Sequence, residues 1–170
     1  MISAKNIWQN TDAPLHVGLL VLNDSNMLSL AAAVDPMRAC NRRADRVLFS
    51  WQFLAQGGQE VSLTSGMVLQ TEDISGFIGD LLILVAGFGL EQHSTPALTI
   101  ALRRCVMDGT HLSGVEGVSW VMAHAGLVDG PRATCHWYDA YALAAPFSAL
   151  YQLPARYPTT GPIHLLARAS

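Results

Sequence analysis

Apolar positions along the chain follow two rhythms, and their alternation predicts the elements. Residues 16–22 (HVGLLVL) form a continuous apolar run of strand length, the pattern of a strand covered on both faces. Asn23, Asp24, Ser25 and Asn26 follow with turn and N-cap chemistry, because short polar side chains accept from free backbone N–H groups. Met27, Leu30, Ala31, Val34 and Met37 then recur at helical spacing. Pro36 falls inside that helix and predicts an end or a kink unless a neighbour absorbs the lost hydrogen bond. Residues 51–55 read as a second strand closed by Gly57 and Gly58, and residues 61–69 as two β-prone pieces around Ser65 and Gly66, a small hairpin or edge ribbon. Leu81–Val85 is the clearest buried strand. It runs into Ala86, Gly87, Phe88 and Gly89, a loop whose backbone can bend sharply or come close to something bound.

Pro96–Met107 reads as a helix with Leu98, Leu102 and Cys105 or Val106 on one face and Gly109 as its stop. Residues 110–115 give a short strand, and residues 118–125 a helix ended by Gly126. Residues 132–135 read as another short strand, with a helix from about Trp137 onward. Strands alternating with helices predict an α/β fold: a mostly parallel sheet with helices on both faces. Ligands in such sheets bind beyond the carboxyl ends of the strands, here after Leu22, Val85, Val115 and Cys135.

This pattern divides the chain into a polar arm over residues 1–14, one domain over residues 15–150 and a tail over residues 151–170. In the tail, Pro154, Pro158 and Pro162 argue for an extended or poorly ordered end. A length of 170 residues suffices for one domain with a real core. Hydrophobic residues at 51% against 14% charged exclude a disordered chain. Ten Lys and Arg against 13 Asp and Glu leave a net charge of −3, which speaks against this segment gripping a phosphate backbone by itself. The longest apolar stretch, residues 81–86, is far short of the roughly 20 residues of a membrane span. No secretory signal is read in residues 1–10. Cys40, Cys105 and Cys135 are odd in number and lack CxxC spacing, which fits a reduced, cytoplasmic setting. Cys40 and Cys105 fall among apolar helical residues and read as core thiols. The six histidines show no metal-ligand spacing, so neither a metal site nor a cofactor is expected.

Candidate chemistry centres on Gly114, Val115, Glu116, Gly117, Val118, Ser119 and Trp120, where a strand passes through a tight turn into a helix. That is how a nucleophile elbow is built. The apex by spacing is Glu116, a poor nucleophile for acyl transfer; it either caps the helix or faces a ligand. Ser119 lies three residues into the helix and is expected to face solvent or its own backbone. Cys135 and His136 are neighbours on a strand and point to opposite faces. Trp120, Trp137 and Tyr138 flank the expected crevice. Aromatic walls beside a carboxylate would suit an amine or a quaternary ammonium compound, and packing inside the domain or a dimer face is the other reading. Asp24, Asn26, Gly87, Phe88 and Gly89 complete the rim.

The run from Leu112 through Trp120 to Ala123, then Ala125-Gly126-Leu127-Val128-Asp129-Gly130, then Arg132-Ala133-Thr134-Cys135-His136-Trp137, resembles the PfpI-like amidotransferase domain of AraC-type transcriptional regulators. The signature of that domain is a GxxTGAxxLAxAGLLDGRRATxHW pattern. Weaker similarity extends through Ala33 to Asn41 and Val85 to Gly89, so that together it covers about residues 15–147. The resemblance implies a flavodoxin-like, class I glutamine amidotransferase-like fold and, in the family, a C-terminal pair of helix-turn-helix motifs that bind DNA. It also places His136 where enzymatic relatives hold a base beside the elbow. The chain departs from the pattern at Glu116, which stands where those relatives keep Cys. Gly117-Val118 replaces Thr-Gly, Tyr138 replaces an acidic residue, and no helix-turn-helix is read in these residues. The resulting expectation is a non-catalytic, ligand-sensing and dimerising domain with a small-molecule effector. It would reach DNA only through a helix-turn-helix domain outside this chain, with no membrane contact. The expected ligand-binding residues are Glu116, Gly117, His136, Trp120, Trp137, Gly87, Phe88 and Asp24. The alternatives are a hydrolase of the intracellular protease and amidase superfamily, using Glu116 or Cys135, and a domain that only self-associates.

Overall fold

A computed structural model describes residues 13–115, 118–127, 159–160 and 163–166. Its elements are β1 (Leu15–Val21), α1 (Met27–Ala44), β2 (Phe49–Ala55), β3 (Val61–Ser62), β4 (Val68–Leu69), β5 (Glu72–Asp73), β6 (Leu81–Val85), α2 (Leu90–His93), α3 (Pro96–Met107), β7 (His111–Val115), α4 (Val118–His124), β8 (Thr159–Thr160) and β9 (Ile163–Leu166). Seven strands form one sheet in the order β5-β2-β1-β6-β7-β9-β8. All neighbours are parallel except β8, which runs antiparallel to β9. β3 and β4 make a separate antiparallel hairpin whose turn contains Gly66 at φ 83°.

The continuous apolar character of β1 has a direct structural cause. Val17, Leu19 and Val21 pack with Leu30 and Met37 of α1 and with Val61 and Leu63 of the hairpin. Leu20 and Leu22 face the other way, into a cluster with Leu98, Leu102 and Cys105 of α3 and Val118, Val121 and Met122 of α4. Helices therefore cover both faces of the sheet, as the pattern predicts. Each fully buried Leu or Val contributes about 1.5–3 kcal/mol to the folded state before entropy is counted. Desolvation by burial is the main cause that raises the Cys105 thiol pKa, with the neighbouring Arg104 opposing it.

Three expectations need correction. α1 runs through Pro36 for 18 residues instead of ending there. Pro36 and Ala32, whose carbonyl loses its partner, are both exposed, so water can satisfy that oxygen. Cys40 is exposed on the solvent side of α1 and is not a core thiol, while Cys105 is buried as expected. The segment read as an extended tail contributes β8 and β9, and β9 pairs with β7 from Leu112↔Ile163 to Val115↔Leu166. Most of the arm, and the strand and helix expected at 132–135 and after 137, lie outside the described residues.

Candidate functional site

The sheet's carboxyl edge brings three connections together. Val21 pairs with Val85 and Val85 with Val115, so β1, β6 and β7 end in register. The backbone then steps across, with Leu22 N–H donating to the Val85 carbonyl at 3.1 Å and Ala86 N–H to the Val115 carbonyl at 3.3 Å. β1, β6 and β7 therefore hand the chain on to residues 22–26, to the loop after Val85 and to residue 116 at neighbouring points of the same edge.

Ser25 ties the first two connections. Its side chain is fully buried, and its hydroxyl reaches the Leu22 carbonyl at 2.6 Å and the Val85 carbonyl at 2.8 Å. Ser25 also forms an isolated antiparallel bridge with Gly87. The approach is so close that a Cβ at position 87 would lie 2.0 Å from the Asp24 carbonyl oxygen, which only glycine avoids. Asp24 holds a left-handed φ of 60°, a conformation that Asp tolerates better than most residues. The β3–β4 hairpin braces the loop from outside: Asp24 N–H donates to Ser62, Ser62 N–H to the Asn23 side chain, and Thr64 N–H to the Ser25 carbonyl, at 2.9, 3.0 and 3.1 Å. Asp24 is exposed, Phe88 is 75% exposed beside Gly87, and Asn26 caps α1 by accepting from Leu28 N–H at 2.8 Å.

On the third connection, only residues 116 and 117 separate β7 from α4. α4 folds straight back over the strand, since a Cβ at Gly114 would lie 2.7 Å from a Val118 methyl. The strand, short connection and helix expected at this position are therefore present. Ser119 is buried instead of facing solvent. Trp120 is buried too, with its ring 4.8 Å from that of His124, whose Nδ1 lies 3.3 Å from the Trp120 carbonyl.

Of the expected site residues, Asp24, Gly87 and Phe88 meet at this edge and Trp120 lies on the helix that follows the bend. Glu116, Gly117, His136 and Trp137 fall outside the described residues, as do Cys135 and Tyr138. Among the described residues, no three His, Cys, Asp or Glu side chains gather as metal ligands would. No helix among them is long and apolar enough to cross a membrane. Sequence reasoning missed the tie made by Ser25. Its only signal is a polar residue in a capping run, and nothing local says which of four polar residues will face β6.

No family model matches the chain. Curated relatives do, three of them as follows. The chain is 38% identical over 132 residues to the HTH-type transcriptional regulator CdhR of Pseudomonas aeruginosa, covering 75% of this chain and 39% of that protein. It is 30% identical over 137 residues to the HTH-type transcriptional regulator GbdR of the same species, covering 79% and 37%. With the HTH-type transcriptional regulator GlxA of Rhizobium meliloti the identity is 31% over 150 residues, covering 86% and 46%. The chain thus spans less than half the length of each of these relatives.

Among solved structures, an AraC family transcriptional regulator from Pseudomonas putida superposes with a TM-score of 0.75 at 23% identity, covering 90% of this chain and 83% of that one. Drosophila melanogaster DJ-1beta gives 0.73 at 13% identity, covering 92% and 83%. A ThiJ/PfpI family protein from Pseudomonas syringae gives 0.72 at 17% identity, covering 92% and 63%. At such identities the likeness speaks for the fold alone. By sequence the chain is thus a partial-length homologue of HTH-type transcriptional regulators, and its architecture is the DJ-1/ThiJ/PfpI, class I glutamine amidotransferase-like fold.

Proposed function

We propose that this chain is a ligand-sensing and dimerising domain of an AraC-type transcriptional regulator, and that it is not an enzyme. The observation that carries the proposal is the meeting of the β1, β6 and β7 carboxyl ends at one edge, together with a sequence that has a carboxylate, Glu116, and not a thiol directly after β7. An edge of this kind is where open α/β sheets bind ligands. A carboxylate there can hold a molecule but is poorly suited to acyl transfer. The proposed site comprises Asp24, Gly87, Phe88, Glu116, Gly117, Trp120, His136 and Trp137.

Two carboxylates with aromatic side chains suit a cationic effector, an amine or a quaternary ammonium compound. Binding would change the balance between arrangements of a helix-turn-helix domain carried outside this chain, which requires unequal affinity for the two states. The setting is the cytoplasm, and the working unit is a homodimer that reaches DNA only through that second domain.

Calorimetric titration with a panel of primary amines and quaternary ammonium compounds tests the effector class. At least one should bind, and Asp24→Asn or Glu116→Gln should weaken it about tenfold, close to 1.4 kcal/mol. A panel with no binder removes the cationic effector. The hydrolase reading predicts ester hydrolysis that vanishes on Glu116→Ala, and that result would overturn the non-catalytic assignment. Sedimentation of the chain should give a dimer.

A further inference from the structure

α4 is short, and its far end is held by a side chain from α3. Residues 118–123 are buried, with Val118, Val121 and Met122 in the cluster between the sheet and α3 and with α2 packed alongside, so the helix cannot turn about its axis without unpacking. Burial of this kind restrains sliding along the axis less well than rotation about it. The chain leaves α4 through Ala125 and Gly126, where Gly126 takes a left-handed φ of 62° and its N–H returns to the Ala123 carbonyl at 2.9 Å. This is the usual way to close a helix with glycine.

From α3, Arg103 reaches over this closure and donates Nε–H to the Ala125 carbonyl at 2.7 Å. A cation at the carbonyl end of a helix is favoured by the helix dipole as well as by the hydrogen bond. The missing side chain of Gly126 makes the room, since a Cβ there would lie 2.9 Å from a guanidinium nitrogen. Arg103 acts from an anchored base. Its neighbour Arg104 reaches the opposite way, donating to the carbonyls of Ile74 and Phe77 at 2.9 and 3.0 Å and to that of Ser75. Leu98, Leu102 and Cys105 hold α3 in the core.

We infer that Arg103 is a positioning residue for the ligand crevice: by gripping the carbonyl end of α4 it holds the helix along its axis and so places Trp120. Its contact is with the end of α4 away from the crevice, so its effect is transmitted through the helix. This rests on the proposed assignment of Trp120 to the ligand site.

The test uses the full chain labelled with fluorotryptophan. The four tryptophans give separable fluorine resonances, and Trp120 is assigned by its loss in Trp120→Phe. Arg103→Ala should move the Trp120 resonance and leave that of Trp51, on β2, in place. Gly126→Ala should do the same, because it keeps the arginine charge but crowds the guanidinium out and strains the closure at its left-handed φ of 62°. Arg103→Lys, which keeps a charged donor, should restore part of the shift, and it carries the test if Arg103→Ala does not fold. Choline is the binding probe, and its dissociation constant should rise about fivefold or more in the clamp variants, the lower range for coupling between separate sites.

An unmoved Trp120 resonance in Arg103→Ala and Gly126→Ala would overturn the clamp. A moved resonance with unchanged choline affinity would overturn the positioning role. If choline fails to bind the unaltered chain, the cationic-effector reading loses its support, while the clamp is still decided by the resonances. The two failures are thereby distinguishable.

Discussion

At the scale of single residues, the loops at the sheet's carboxyl edge are held by one contact that tolerates no added atom. The Ser25 and Gly87 backbones approach so closely that a methyl at position 87 would meet the Asp24 carbonyl at 2.0 Å, a backbone atom that cannot rotate away. Gly87→Ala is therefore expected to force the β1 and β6 connections apart. A loss of about 1–3 kcal/mol is the usual cost of overpacking, and denaturant titration measures it. A variant as stable as the original would show that the approach is looser than described.

The two described cysteines should separate chemically. Cys40 is exposed and should react with iodoacetamide in the native protein, while Cys105 should be labelled only on unfolding. Burial raises the Cys105 pKa, so above about pH 8.5 the unfolded chain loses this proton before the folded chain does. The folded state then binds more protons, and stability falls as pH rises through that range. Peptide mapping after alkylation and a pH series of unfolding midpoints check the two statements. Cys105→Ala should flatten that part of the pH series. Which helix face meets the sheet separates the two thiols, and the polar flank of Cys40 at Arg38, Asn41, Arg42 and Arg43 agrees with its exposure.

At the scale of elements, most of the fold was open to reading. Leu81–Val85 and Pro96–Met107 occur at the boundaries their patterns predict, because a strand between Asp80 and Gly87 and a helix between Pro96 and Gly109 carry their own stop signals. β2 begins earlier than expected, at Phe49, because Asn41 of α1 reaches across to its start. The Asn41 side chain donates to the Phe49 carbonyl and accepts from the Leu48 and Phe49 N–H groups at 2.7–2.9 Å. α1 ignores its proline because its buried face, with Leu30 and Met37, holds it to the sheet while the missing hydrogen bond faces water. Pro36→Ala should thus stabilise the chain by about 1–2 kcal/mol. It restores a helical hydrogen bond, a gain partly offset by the greater freedom of the unfolded chain. Thermal unfolding reads the outcome, and a lowered midpoint would mean that α1 depends on its proline.

At the scale of the whole molecule, β9 matters most because it covers an edge of β7 that would otherwise be open. Pairing runs over Leu112↔Ile163, Ser113↔His164, Gly114↔Leu165 and Val115↔Leu166. Removing residues 159–170 should leave β7 as a bare, apolar edge beside the crevice and produce an aggregating or partly unfolded chain. Gel filtration with circular dichroism would detect this, and a monodisperse, cooperatively folding truncation would refute it.

The same strand marks where reading the sequence stopped. The apolar rhythm of residues 15–125 already determined an α/β sheet covered on both faces, because a strand buried twice and a helix buried once write different periods. What only the tertiary structure decided was which polar residue turns inward at Ser25, which cysteine stays wet, and where a run as short as Ile163–Leu166 docks. Those outcomes depend on neighbours distant along the chain, and a local pattern carries no record of them.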